Sequence, residues 1–189
     1  MVNTTKSSHN DNPQTETLTF RIDRKIAKDL RTESKQKGES LNVLINQILK
    51  DYVDYYKPAK KAGSIHFPKQ LITRLFDSLS DEDIDRIAME HVNHDQMEDL
   101  HLFRQSYTLL GFMITLSVWL RVSDFSFSQG PGVGGNDETT SIRLGMGRKY
   151  SNFFGKCIQL VCEHFKVNPN VEITDNTVMF TSAFQSENS

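Results

Sequence analysis

Three groups of residues in this 189-residue sequence carry side chains that could do chemistry. His91, His94, Glu98 and His101 fall at i, i+3, i+7 and i+10, which is one face of an unbroken helix. Neutral imidazoles so spaced can ligate zinc, nickel or another transition metal. Ile84 and Ile87 share that face, however, so His91 also reads as the continuation of a packing stripe, and Asn93 could break the helix. Gly145, Gly147, Arg148 and Lys149 stand at a helix start. Small residues there admit a ligand close to the backbone, and the helix end with two cations favours an anion. The spacing is neither that of a Walker loop nor that of a dinucleotide fingerprint, and a tight strand-to-helix turn explains the same residues. The glycine-rich stretch 130–137 likewise has no lysine or hydroxyl placed for a phosphate. Cys157 and Cys162 lie five residues apart, about 500° around a helix, so their sulfurs point roughly 140° apart and do not share a metal within one helix. With His164 beside them they read as core cysteines. No Ser–His–Asp set or carboxylate pair can be assembled from spacing, so no enzymatic activity is expected, and no cofactor beyond a transition metal.

The elements that must position these groups fall in the back of the chain. After Phe67-Pro68, the segment KQLITRLFDSLS has helical apolar spacing, and Ser80-Asp81-Glu82-Asp83 is a capping sequence for a second helix through Ile84 and Ile87. A third helix over about 105–122 is apolar almost all round and predicts the hydrophobic centre. Residues 124–129 alternate like a strand, Thr139–Leu144 offers the returning strand, and a helix over 148–165 follows. Residues 171–174 and 178–181 flank Asp175-Asn176 as a closing hairpin. The fold class expected is α+β, a helix-rich domain over 64–184 with a small antiparallel sheet.

The front is different in kind. Residues 1–63 hold 12 Lys+Arg against 8 Asp+Glu, a surplus of +4, while the remainder carries −6. Residues 1–16 are polar and predict a disordered tail, as do 185–189. Thr17-Leu-Thr-Phe-Arg-Ile-Asp23 alternates polar and apolar, the period of a half-buried strand. Asp23 is placed to cap a helix that Gly38 stops, and Ser40 to cap a second, LNVLINQILKDYVDYY, with an apolar stripe at helical spacing. Residues 57–63, with Pro58 and Gly63, read as a linker. One strand and two helices over 17–56 bury too little to fold alone. A second copy, its strand antiparallel to the first, would cover Leu18, Phe20 and Ile22. The front unit thus predicts a homodimer, with assembly to tetramers left open.

TLTFRID, the helix ending in Lys37-Gly38 and the ESLNVLINQIL start of the second helix resemble the ribbon-helix-helix DNA-binding family, the class of the Arc and Met repressors. The resemblance covers about 17–56. It implies an N-terminal ribbon-helix-helix fold whose two-stranded ribbon enters the major groove of double-stranded DNA. Carried over by position, it implies Thr17, Thr19 and Arg21 as the base-reading residues. Arg24, Lys25 and Lys28 would meet phosphates, as would the backbone N–H groups of Ser40, Leu41 and Asn42.

The function expected is a sequence-specific transcriptional regulator whose back domain senses a small-molecule effector or sets the assembly. That order of domains is similar to the nickel-responsive repressors. An alternative is an antitoxin-like protein whose back domain binds a protein partner. The longest apolar stretch, Leu109–Leu120, is too short for a membrane span, and the first sixteen residues hold no secretory apolar run, so neither membrane insertion nor secretion is expected. Two cysteines make no disulfide framework, and a cytoplasmic location follows.

Overall fold

The computed structural model describes residues 18, 19, 21–96, 107–131 and 138–182. The chain divides into two compact units, residues 1–46 and 47–189.

In the first unit, Asp23 caps helix α1, Arg24–Gln36, its Oδ1 accepting the backbone N–H groups of Lys25 at 2.7 Å and Ile26 at 3.3 Å. Helix α1 stops at Gly38, whose φ of 68° is costly for any residue with a Cβ. The Ser40 hydroxyl then accepts the Val43 N–H at 3.2 Å and opens α2, Leu41–Asp51. Both caps and the stop are where the sequence predicts them. Of the expected strand 17–23, residues 18, 19 and 21–23 are described; they are not in a strand and join no sheet among the described residues. Leu44 is buried, yet Leu18 and Ile26 are 69% and 55% exposed, and Ile22 and Val43 are exposed as well.

The second unit begins within α2. A π-helical turn, Tyr52–Tyr56, and helix α3, Lys57–Lys61, follow α2 directly. The expected linker 57–63 is therefore helical as far as Lys61, with Pro58 and Ala59 buried. Proline lacks an N–H and crowds the carbonyl four residues before it. Here that residue is Asp54, inside the wider π turn, so the helical path continues past Pro58. The run is tied down at Asp51, whose carboxylate accepts from Arg121 Nη2 at 2.6 Å.

Helices α4, Lys69–Asp77, and α5, Asp81–Glu90, come next, the latter capped by the Ser80 hydroxyl on the Asp83 N–H at 3.1 Å. A second π turn covers His91–Gln96. Helix α6, Leu109–Val122, is capped by Thr108, and buries Phe112, Met113, Leu116 and Leu120. The N–H groups of Asp124 and Phe125 return to the carbonyls of Arg121 and Leu120, closing the end of α6. Strand β1 consequently spans Ser126–Pro131 rather than starting at 124. Strand β2, Glu138–Arg143, pairs with it; then come α7, Gly147–His164, and the hairpin of β3, Asn170–Ile173, and β4, Thr177–Ser182.

The sheet is antiparallel throughout in the order β1-β2-β4-β3. Register places Ile142 opposite Val178 and Thr140 opposite Phe180, so period-2 alternation gathers these four on one buried face. Phe154, Ile158, Val161 and Cys162 of α7 join them in a single core with α6. The architecture is thus α+β, and among the described residues no helix is long and apolar enough to cross a membrane.

Helix α7 lies close to β3 at Gly155, where an added Cβ would stand 2.6 Å from Ile173 Cδ1 and 3.5 Å from Val171 Cγ1. Valine gains well under 1 kcal/mol over glycine in helix propensity, which overpacking of about 1–3 kcal/mol outweighs. Gly155→Val should therefore lower the urea midpoint; an unchanged midpoint would mean that α7 and β3 separate at little cost.

Candidate functional site

Along α1, Arg24, Lys28, Arg31 and Lys35 recur at i, i+4, i+7 and i+11, which lines them up on one side of the helix. With Lys25 and Thr32 they form one concave surface, its single carboxylate being Asp23. That carboxylate is engaged by the N-terminal N–H groups of α1. Among the described residues the lining is therefore five cations and one carboxylate, which is already hydrogen-bonded. Thr19 and Arg21 are exposed just before it, as are Arg24, Lys25 and Lys28 within it. Thr17 lies outside the described residues. Arg31 and Lys35 extend the phosphate-facing set read from the sequence; the same helical spacing, followed one turn further, identifies them.

At the start of α2, the N–H groups of Leu41 and Asn42 precede the first intrahelical bond, which runs from the Leu44 N–H to the Ser40 carbonyl at 3.1 Å. They point out of the helix end with the positive pole of its dipole, a geometry that suits a phosphate oxygen. The Ser40 hydroxyl is used internally as the cap, so its share in such a contact is the backbone.

Of the histidine group, His91 and the backbone of His94 are described. The spacing argument assumed an unbroken α-helix, whereas His91 opens the π turn His91–Gln96, which alters the angular step between His91 and His94. The His91 ring lies 6.2 Å from that of Phe153, as an extension of the packing stripe would. The side chain of His94, and Glu98 and His101 entirely, lie outside the described residues. Among the described residues no three His, Cys, Asp or Glu side chains converge on a metal position.

Gly145, Gly147, Arg148 and Lys149 are brought together, but against the protein's own acceptors. Leu144 and Gly145 donate their N–H groups to the Asn176 carbonyl at 2.8 and 3.3 Å, and Gly147 donates to Asn176 Oδ1 at 3.3 Å. Arg148 Nη1 donates to the Ile173 carbonyl at 3.0 Å and sits 4.0 Å from Asp175 Oδ1. Lys149 Nζ donates to the carbonyl of Asp77 at 3.1 Å and to that of Leu79, closing the C-terminal end of α4. A cation at that pole answers both the orphan carbonyls and the helix dipole. The arrangement joins α4, α7 and the β3–β4 turn. Lys149→Met should cost about 1–3 kcal/mol of stability, measured by urea unfolding. An unchanged stability would release this lysine for a ligand.

Cys157 and Cys162 are buried free thiols in α7. Burial raises Cys157 to about 12 and Cys162 to about 11, and Tyr150 is likewise raised by burial to about 12. These acids keep their protons in the folded chain at pH values where the unfolded chain, with ordinary values of 9.0 and 10.0, loses them. The folded state then binds more protons, so stability falls as pH rises from about 9 towards 12. The urea midpoint at pH 10.5 should lie below that at pH 8, with a shallower fall in a Cys157→Ala/Cys162→Ala variant; parallel falls would remove the thiols as the cause. Thiolate is scarce at these positions, which argues against nucleophilic or metal chemistry there.

Compared with protein-family models and with curated proteins, the sequence matches none.

Proposed function

We propose that this chain is a homodimeric, sequence-specific DNA-binding regulator that reads the major groove with a two-stranded ribbon formed by residues 17–23 of two copies. The observation that carries this reading is the coincidence, in one short unit, of exposed apolar residues and an uninterrupted cationic stripe. Leu18, Ile22, Ile26 and Val43 lie open at a cost that a second copy would remove. Paired as a strand, the alternating sequence 17–23 would turn Thr17, Thr19 and Arg21 away from that apolar set. Arg21 can donate two parallel hydrogen bonds to guanine, and the threonines can touch thymine methyls or exchange single hydrogen bonds. Arg24, Lys25, Lys28, Arg31 and Lys35 then supply sequence-independent attraction to phosphates, and the α2 N-terminus fixes the register. Two-fold symmetry of the dimer implies paired half-sites in the operator.

The back unit would act as the sensing or assembly module, biasing how the ribbons are presented. Such coupling requires a ligand that binds two states unequally. The antitoxin-like alternative fits less well, because a short partner-binding tail would not need the packed core around α6 and α7.

Selection of sites from a random duplex pool by the full chain should enrich paired half-sites. Arg21→Ala should weaken specific binding by about 1–3 kcal/mol and relax one position of the motif. Lys25→Ala should weaken all sequences alike and lower the salt slope by about one per cation removed. Unchanged specific binding in Arg21→Ala would remove the ribbon as reader, and no enrichment at low salt would remove the DNA reading altogether.

A further inference from the structure

The second unit contains a cleft of about 340 Å³ that none of the groups above uses. It is bounded by the π turn after α2, the segment before α4, and the end of α6. Its walls are aromatic: Tyr55, Tyr56, Phe67, Trp119 and Phe125 all line it. The Trp119 ring is held in place by Phe125 at 5.2 Å and by Phe154, stacked at 5.7 Å. Tyr55 meets Tyr56 edge-on at 5.5 Å, and Tyr56 meets His66 at 6.0 Å. The size falls at the lower end of small-ligand sites, and the rings share the lining with the polar side chains of His66, Lys69 and Ser123.

Among the described residues lining the cleft, Lys69 is the one Lys or Arg. Lys69 and His66 line the cleft, and among the described residues lining it none is Asp or Glu. Lys69 Nζ is anchored by the Asp124 carbonyl at 3.1 Å and lies 4.0 Å from the centre of the Phe125 ring. An ammonium group has three N–H donors, and one is directed at that carbonyl. A bare aromatic cage would suit a quaternary ammonium ligand. Here a lysine already occupies the cation position over a ring, so a second cation would meet repulsion with no carboxylate among the described lining residues to offset it.

We propose that this cleft binds a small planar aromatic carboxylate, its ring among Tyr56, Phe67 and Trp119 and its carboxylate on Lys69 Nζ. Occupancy would be the input of the sensing unit; that regulatory role rests on the DNA-binding reading above, whereas occupancy itself does not. The ring gains offset or edge contacts with Trp119 and Tyr56, each of which already rests against neighbouring rings. The carboxylate gains a charge-assisted hydrogen bond at the rim.

The test uses the full chain without DNA, so that it can fail separately from the DNA reading. Trp119 is the only tryptophan, and its emission reports on this cleft. The probes are trans-cinnamate, neutral cinnamyl alcohol and cationic cinnamylamine, titrated by calorimetry and by tryptophan emission. Cinnamate should bind with a dissociation constant on the order of 1 mM or tighter and shift the emission. The alcohol should bind about tenfold more weakly, and the amine more weakly still. Lys69→Met should erase the preference for cinnamate over the alcohol while Lys69→Arg retains it; Lys69 is exposed, so the fold should survive both changes. Equal binding of acid and alcohol, or a preference for the amine, would overturn the proposal. So would an absence of binding at 10 mM, or about ten times the expected constant, including the case in which Trp119 emission instead changes with protein concentration because a second copy fills the cleft.

Discussion

Contact between α7 and the sheet is the constraint on which the second unit depends. Ile142, Val178 and Phe180 reach one face by strand alternation, and Phe154, Ile158, Val161 and Cys162 reach α7's inner face by helical spacing. Neither surface can be left in water, and each has the other's dimensions. The glycine at 155 shortens the approach, Lys149 ties the start of α7 to the end of α4, and Arg148 ties it to β3. Once α7 is seated, α4 and α5 pack against its other sides. The residues at the start of α7 look like a ligand loop in isolation because the same groups, backbone N–H and cation, serve a ligand oxygen or a protein carbonyl equally well.

Much of this was legible in the sequence because the signals are local. Asp23, Gly38, Ser40 and Ser80 work as cap or stop through atoms within a few residues. The β3–β4 hairpin shows in its alternation on either side of Asp175-Asn176. Less legible were features in which a helix departs from 3.6 residues per turn. The π turn at Tyr52–Tyr56 carries the helix past Pro58, so a segment with linker composition became part of a core. The π turn at His91–Gln96 alters the angular step between His91 and His94, which α-helical spacing does not foresee.

The candidate sites divide along the same line. The basic stripe of α1 was visible in part, since helical spacing alone assembles it, and reading one more turn brings in Arg31 and Lys35. The aromatic cleft was invisible. Tyr55, Phe67 and Trp119 are far apart in sequence, and only the folded path of the chain brings them to one place.

The strand order also leaves β1 and β3 at the margins of the sheet, where unpaired N–H and C=O groups invite another strand. Both are poor hosts. Strand β3 has only four residues, and β1 ends in Gly130-Pro131, the second of which has no N–H to offer. Open-ended stacking of one chain on another is thereby discouraged in the back unit. The alternating segment 17–23 carries no such guard, neither proline nor glycine nor brevity. If chains meet strand to strand, the composition of these three segments directs the meeting to the front.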